Sequence, residues 1–139
     1  MTFAAALRAY LMADPAVAGF VAGRIYPVIV PAPGEGQTWT GDALSYSLIA
    51  SSPSDGLNAS REARREWEIA AVADDYERTH EIAEAVEAAL DYFSGTMGGA
   101  GGVQVLSCRR ASMSDAEDFE LGLFAVVQTY DVRYLKPQS

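Results

Sequence analysis

The sequence predicts one α+β domain, a mostly antiparallel sheet with two main helices packed on one face, in the order α-β-β-β-α-β-β. Three observations carry this. The chain has 139 residues, the size of a single ordinary domain, and a chain of that size buries about two-thirds of its unfolded surface. Half of its residues are apolar and 21% are charged, the balance of a globular chain rather than of a disordered one. Apolar residues recur at helical spacing near the start and in the middle, and at strand spacing elsewhere. No repeat or linker composition divides residues 1–139, so they read as one domain.

Thr2 is placed to cap a first helix whose apolar positions are Phe3, Leu7, Tyr10 and Leu11. Asp14-Pro15 restarts the helix, because aspartate caps well and proline suits the first helical position, and Gly23 ends the short turn Ala16 to Val21. Arg24 to Val30 reads as a strand with Pro27 at a sheet edge or strand end, since proline donates no ladder hydrogen bond. Residues 31–42 form a proline- and glycine-rich loop that carries Trp39, and Ala43 to Ala50 is the next strand. A polar loop over 51–61 leads to the strand Glu62 to Val72, where charged residues alternate with Trp67, Ile69 and Ala71.

The strongest helix runs from about Asp75 to Phe93. Asp74 and Glu77 have capping-box spacing, the apolar stripe is Tyr76, Ile82, Ala83, Val86, Leu90 and Phe93, and Gly95 suits the stop. Gly95 to Gly102, with five glycines in eight residues, reads as a turn into a strand Val103 to Ala111. Ser112 to Glu117 then turns into a last strand, Phe119 to Leu135, with a change of phase near Ala125 and a bulge at Gly122.

Nineteen acids against ten bases give a net charge of −9, which argues against a broad phosphate-gripping surface. Only Lys136 among the bases is a lysine; the rest are arginines, suited to fixed bidentate contacts. A single cysteine, Cys108, allows no internal disulfide, and the chain reads as intracellular, or at least as independent of an oxidising compartment, without a signal peptide or a membrane span. The Asn58-Ala59-Ser60 acceptor pattern is then a chance match.

No enzyme chemistry is signalled. The glycine cluster lacks the lysine of a phosphate loop, and no nucleophile elbow surrounds any serine. His80 is the sole histidine, so neither a metal site nor an acid–base pair is implied, and it reads as a solvated helix residue. Cys108 reads as a buried structural thiol. No catalytic residue, metal or cofactor is therefore expected.

Charge patterning is more informative. Asp74, Asp75, Glu77, Glu81, Glu84, Glu87 and Asp91 put seven acids on the long helix against one base, Arg78. Glu77, Glu81, Glu84, Glu87 and Asp91 share one face, where like charges cost a few tenths of a kcal/mol per pair unless something offsets them. That stripe reads as a solvated face, as the lining of a passage, or as a surface for a neighbour's arginines. Arg61, Arg64 and Arg65, and separately Arg109 and Arg110, are clustered candidates for such subunit contacts, and Trp39 is another.

The run Val21-Ala-Gly-Arg-Ile-Tyr-Pro27 after Asp14-Pro15, the strand Arg65-Glu-Trp-Glu-Ile69, the helix Tyr76 to Leu90 and the closing Asp118-Phe119 resemble, in order and over nearly the whole chain, the tail-terminator or tail-completion proteins of long-tailed bacteriophages and gene transfer agents. Leu44-Ser45-Tyr46 departs from the Pro-Tyr pair expected to open the second strand. The resemblance implies a non-enzymatic homo-oligomeric ring, usually of six copies, in the tail-neck region of the virion, assembled in the host cytoplasm. Its implied partners are itself, the tail tube protein and a head-closure or neck protein, with DNA passing through the lumen without specific binding and no membrane involved. Trp39, Arg61, Arg64, Arg65, Arg109 and Arg110 are then interface candidates, and Glu77, Glu81, Glu84, Glu87 and Asp91 lumen-lining candidates. A head-closure adaptor or other minor tail protein is the alternative, and a small acidic binding protein the more distant one.

Overall fold

A computed structural model describes residues 1–30, 42–52, 61–118 and 122–136. Its elements are α1 (Phe3–Ala13), α2 (Pro15–Val21), β1 (Ile25–Pro27), β2 (Ala43–Ser52), β3 (Glu62–Ala73), α3 (Tyr76–Leu90), β4 (Gly95–Met97), β5 (Val103–Asp118) and β6 (Leu123–Leu135). The class is α+β, with three helices and a six-stranded sheet in the order β1-β2-β3-β6-β5-β4. The sheet is mixed rather than simply antiparallel, because β1 runs parallel to β2 while every other pairing is antiparallel. The observed order is therefore α-α-β-β-β-α-β-β-β, one helix and one strand more than the sequence predicts.

Local chemistry explains the start. Thr2 Oγ1 accepts from Ala5 N–H at 3.2 Å, and Asp14 Oδ1 accepts from Ala16 and Val17 N–H, with Pro15 opening α2. The chain leaves α2 through left-handed Ala22 and Gly23 (φ +48° and +84°), and β1 ends on Pro27 at the sheet edge, where its missing N–H is harmless.

Buried residues alternate along β3 and β6, so one face of the sheet carries the core. Ile69 and Ala71 on β3 and Val126, Tyr130 and Val132 on β6 lie under Ile82, Ala83, Val86 and Leu90 of α3. Phe3 of α1 stacks on Tyr134 at 4.7 Å and tilts against Trp67 at 5.3 Å. The hydroxyl of Tyr10 donates to the Ala89 carbonyl at 2.7 Å and ties α1 to the end of α3. The phase change in β6 is present, since Leu123 and then Val126, Gln128 and Tyr130 are buried, but Gly122 (φ +68°) turns the chain before the strand and hosts no bulge.

Three expectations are corrected. The N-cap of α3 is Asp75, whose carboxylate accepts from Arg78 N–H at 3.0 Å, while Asp74 pairs with the Arg78 side chain. The helix stops at Leu90 and not Phe93, because Asp91 leaves helical geometry and Tyr92 turns at φ +65°. Residues 112–117 continue β5 instead of turning: an edge strand needs only one partner, β6, and no apolar alternation.

The glycine cluster supplies close approach. Met97 is buried beside α1, and a Cβ at Gly98 (φ +92°) would stand 3.0 Å from the Ala6 backbone.

Candidate functional site

Side-chain chemistry concentrates where α3 crosses the sheet. At mid-helix, buried Gln128 on β6 donates from Nε2 to the Ala83 carbonyl at 2.9 Å and accepts from the Tyr130 hydroxyl through Oε1. Burial raises the Tyr130 phenol well above its ordinary value, so the hydroxyl remains a donor. Cys108, behind the same helix, is buried and its thiol is pushed up to about 12, chiefly by burial. A thiol in that state is protonated and unreactive.

At the helix start, Asp115 on β5 joins two α3 side chains. The Tyr76 hydroxyl donates to its Oδ2 at 2.8 Å, and His80 Nε2 lies 2.8 Å from its Oδ1, with the Tyr76 and His80 rings 4.6 Å apart. These contacts, the Tyr76 hydrogen bond first, hold the Asp115 carboxyl below the usual carboxylate range. His80 is therefore a clasp between α3 and the edge strand rather than a purely solvated residue. Arg78 Nε forms an ion pair with the buried Asp42 at 2.7 Å, which fixes the start of β2 against α3.

The acidic stripe divides. Glu87 receives Arg110 at 3.3 Å, and Asp91 accepts the Arg110 backbone N–H at 2.9 Å and has Arg109 Nε at 3.9 Å. Arg109 also lies over the Tyr92 ring, 4.0 Å from its centroid. The two arginines placed at a subunit boundary thus have partners within their own chain. Glu77, Glu81 and Glu84 are exposed on α3 and have no ion-pair partner among the described residues. Glu84, Glu87, Ala88, Asp91, Tyr92 and Met113 line an open groove between α3 and β5.

The remaining candidates lie across the sheet. Arg61 is exposed before β3, Arg64 stands 3.9 Å from Asp131, and Arg65 donates to the Arg64 carbonyl at 3.1 Å. Trp39 lies outside the described residues. Among those residues there is no cluster of His, Cys, Asp and Glu able to hold a metal ion, and no single helix long and apolar enough to cross a membrane. Two features escaped sequence reasoning: the Gln128 anchor and the Asp115 clasp. Only the first left a trace, a polar residue in the buried phase of β6.

Residues 5–135 match the family described as tail completion protein gp17. The chain belongs to that family. This tail-completion protein also superposes on one chain of a solved structure of the virion of a native gene transfer agent particle, at TM-score 0.68 and 18% identity over 96% of this chain and 95% of that one. At that identity the likeness shows a shared fold. A second solved chain gives TM-score 0.47 at 13% identity over 96% of each chain. No curated protein matches. The family makes this a phage-tail structural protein.

Proposed function

We propose that this tail-completion protein closes into a ring of six copies that caps the tail tube, ends its polymerisation and joins the tail to the head through a neck protein. The observation that carries the reading is the family match, which spans residues 5–135. If each copy gave about 800 Å² to each of two neighbours, roughly a fifth of its 7668 Å² surface would be covered, a normal share for a stable assembly. The described residues concentrate their shape-specific chemistry on holding α3 to the sheet, while Arg61 is exposed and Arg64 and Arg65 make only exposed contacts, which leaves them accessible to other copies.

A lumen lined mainly by carboxylates repels DNA phosphates and lets the genome slide. Glu77, Glu81 and Glu84 suit that lining, whereas Glu87 and Asp91 are already engaged by Arg110 and Arg109. Native mass measurement of the purified protein, alone and with tail tube protein, tests the ring: a hexameric mass and binding to tube ends are expected, and a monomer that never binds tube ends overturns it. Loss of the gene should leave overlong, headless tails. Tails of normal length without heads would instead mark a neck adaptor.

A further inference from the structure

The sheet has two unpaired margins, and they differ in chemistry. On one side β1 covers only Leu44 to Tyr46 of β2, with Val28 N–H adding a bond to the Tyr46 carbonyl at 2.8 Å. The outer half of β2, from Ser47 onward, has β3 on one side and no strand on the other among the described residues. It carries none of the charges that usually blunt such a margin, since residues 47–51 read Ser-Leu-Ile-Ala-Ser. Instead a bulge at Ile49 leaves Leu48 and Ile49 at 50% and 46% exposure, and Val28 and Ile29 stand nearby at 72% and 73%. Val28 is held at φ +69°, a strained conformation for a β-branched residue. One strand inward, Arg64 and Arg65 sit opposite Ser52 and Ser51.

On the other side β4 covers only Val103 to Val105 of β5, and Asp91 and Tyr92 then take up the Arg110 N–H and the Cys108 carbonyl. Beyond them β5 is unpaired again among the described residues, and the one charge over residues 111–116 is the carboxylate of Asp115. One margin is thus apolar and flanked by arginine, the other open and acidic, and they lie at opposite ends of the strand order.

We infer that the outer half of β2 of one copy lies along the outer half of β5 of the next, so that the ring is built by a head-to-tail contact between unlike sheet margins. This deepens the ring reading and rests on it. Such a heterologous contact buries Leu48 and Ile49, brings Arg65 toward Asp115 on the helix face of the sheet, leaves Arg64 on the same face as Ser114, and closes when six rotations return to the start. The occupant is a second copy because the complementary charge and the complementary open edge are both found on this same chain.

Paired cysteines test it. Ala50 and Ser114 are exposed and lie on the sheet face away from the helices. The buried Cys108 stays out of the reaction. Mild oxidation of the full-length Ala50→Cys/Ser114→Cys protein should give a ladder of disulfide-linked multimers up to the closed ring, and neither single variant should. Arg64→Glu/Arg65→Glu should weaken self-association at least about tenfold, with Ser114→Arg restoring most of it. Hexamers in native mass spectra that fail to crosslink overturn the contact and leave the ring standing. Dimers from Ala50→Cys alone overturn it in favour of like-to-like pairing. A wild type that stays monomeric even with tube ends overturns the ring and the contact together.

Discussion

Under α3, Gln128 and Tyr130 form a chain of hydrogen bonds that ends on the Ala83 carbonyl, and every member is buried and partnered. Across the sheet, Arg64 and Asp131 stand 3.9 Å apart with about half of each side chain in solvent. The first arrangement fixes one geometry at high cost if broken; the second costs almost nothing to lose. The interior therefore decides whether the chain folds, and the margins decide what the folded chain can join. Substitutions should separate the two.

Trp67→Ala is expected to have the largest effect on folding, about 3–5 kcal/mol, because it empties the space between Phe3 of α1 and the sheet. Its indole N–H has no hydrogen-bond partner among the described residues, so Trp67→Phe should cost far less, and urea melts of the two variants compare ring packing with polar loss. Gln128→Leu comes next. It leaves the Tyr130 hydroxyl buried without an acceptor, at about 1–3 kcal/mol, and adding Tyr130→Phe should recover much of that by removing the orphaned group. Equal stability of the single and double variants would show that the network does not act as a unit.

Much of the fold was legible where its cause is local. Asp14-Pro15 caps and opens α2 through contacts within three residues, and the stripe of α3 is periodic over fifteen residues. The β1–β2 parallel pairing was not, since nothing in three residues of β1 distinguishes a parallel from an antiparallel partner. The extension of β5 was hidden because its second half is an exposed edge, where the buried alternation that marks a strand is not required. For the site, residue types were legible and partnerships were not. Arg109 and Arg110 stood out as a cluster, yet what they meet, Asp91 and Glu87, is set by the crossing of α3 over β5. His80 and Asp115 are 35 residues apart and are joined by the same crossing.

That clasp gives a smaller, pH-dependent effect. A carboxyl whose pKa is lower in the folded chain stabilises it fully above the unfolded value, about 4, and loses that contribution as pH falls through the folded value. Thermal melts of the wild type should therefore fall more steeply as pH drops below about 4 than those of Asp115→Asn, which cannot accept on both oxygens or hold a charge. Parallel curves would show that Tyr76 and His80 contribute nothing through Asp115.

The smallest expected effect on folding tests the comparison most directly. Arg64→Ala removes one partner of an exposed pair at 3.9 Å, so the monomer should change by less than about 0.5 kcal/mol in urea and keep its melting temperature. If the arginine-flanked margin joins copies, the same substitution should still weaken assembly, because a guanidinium desolvated between two chains is worth more than one that stays in water. A variant that melts and assembles like the wild type would place the assembly surface away from Arg64. One that melts lower by several kcal/mol would mean that the margins share in folding after all, and the division between interior and edge would fail.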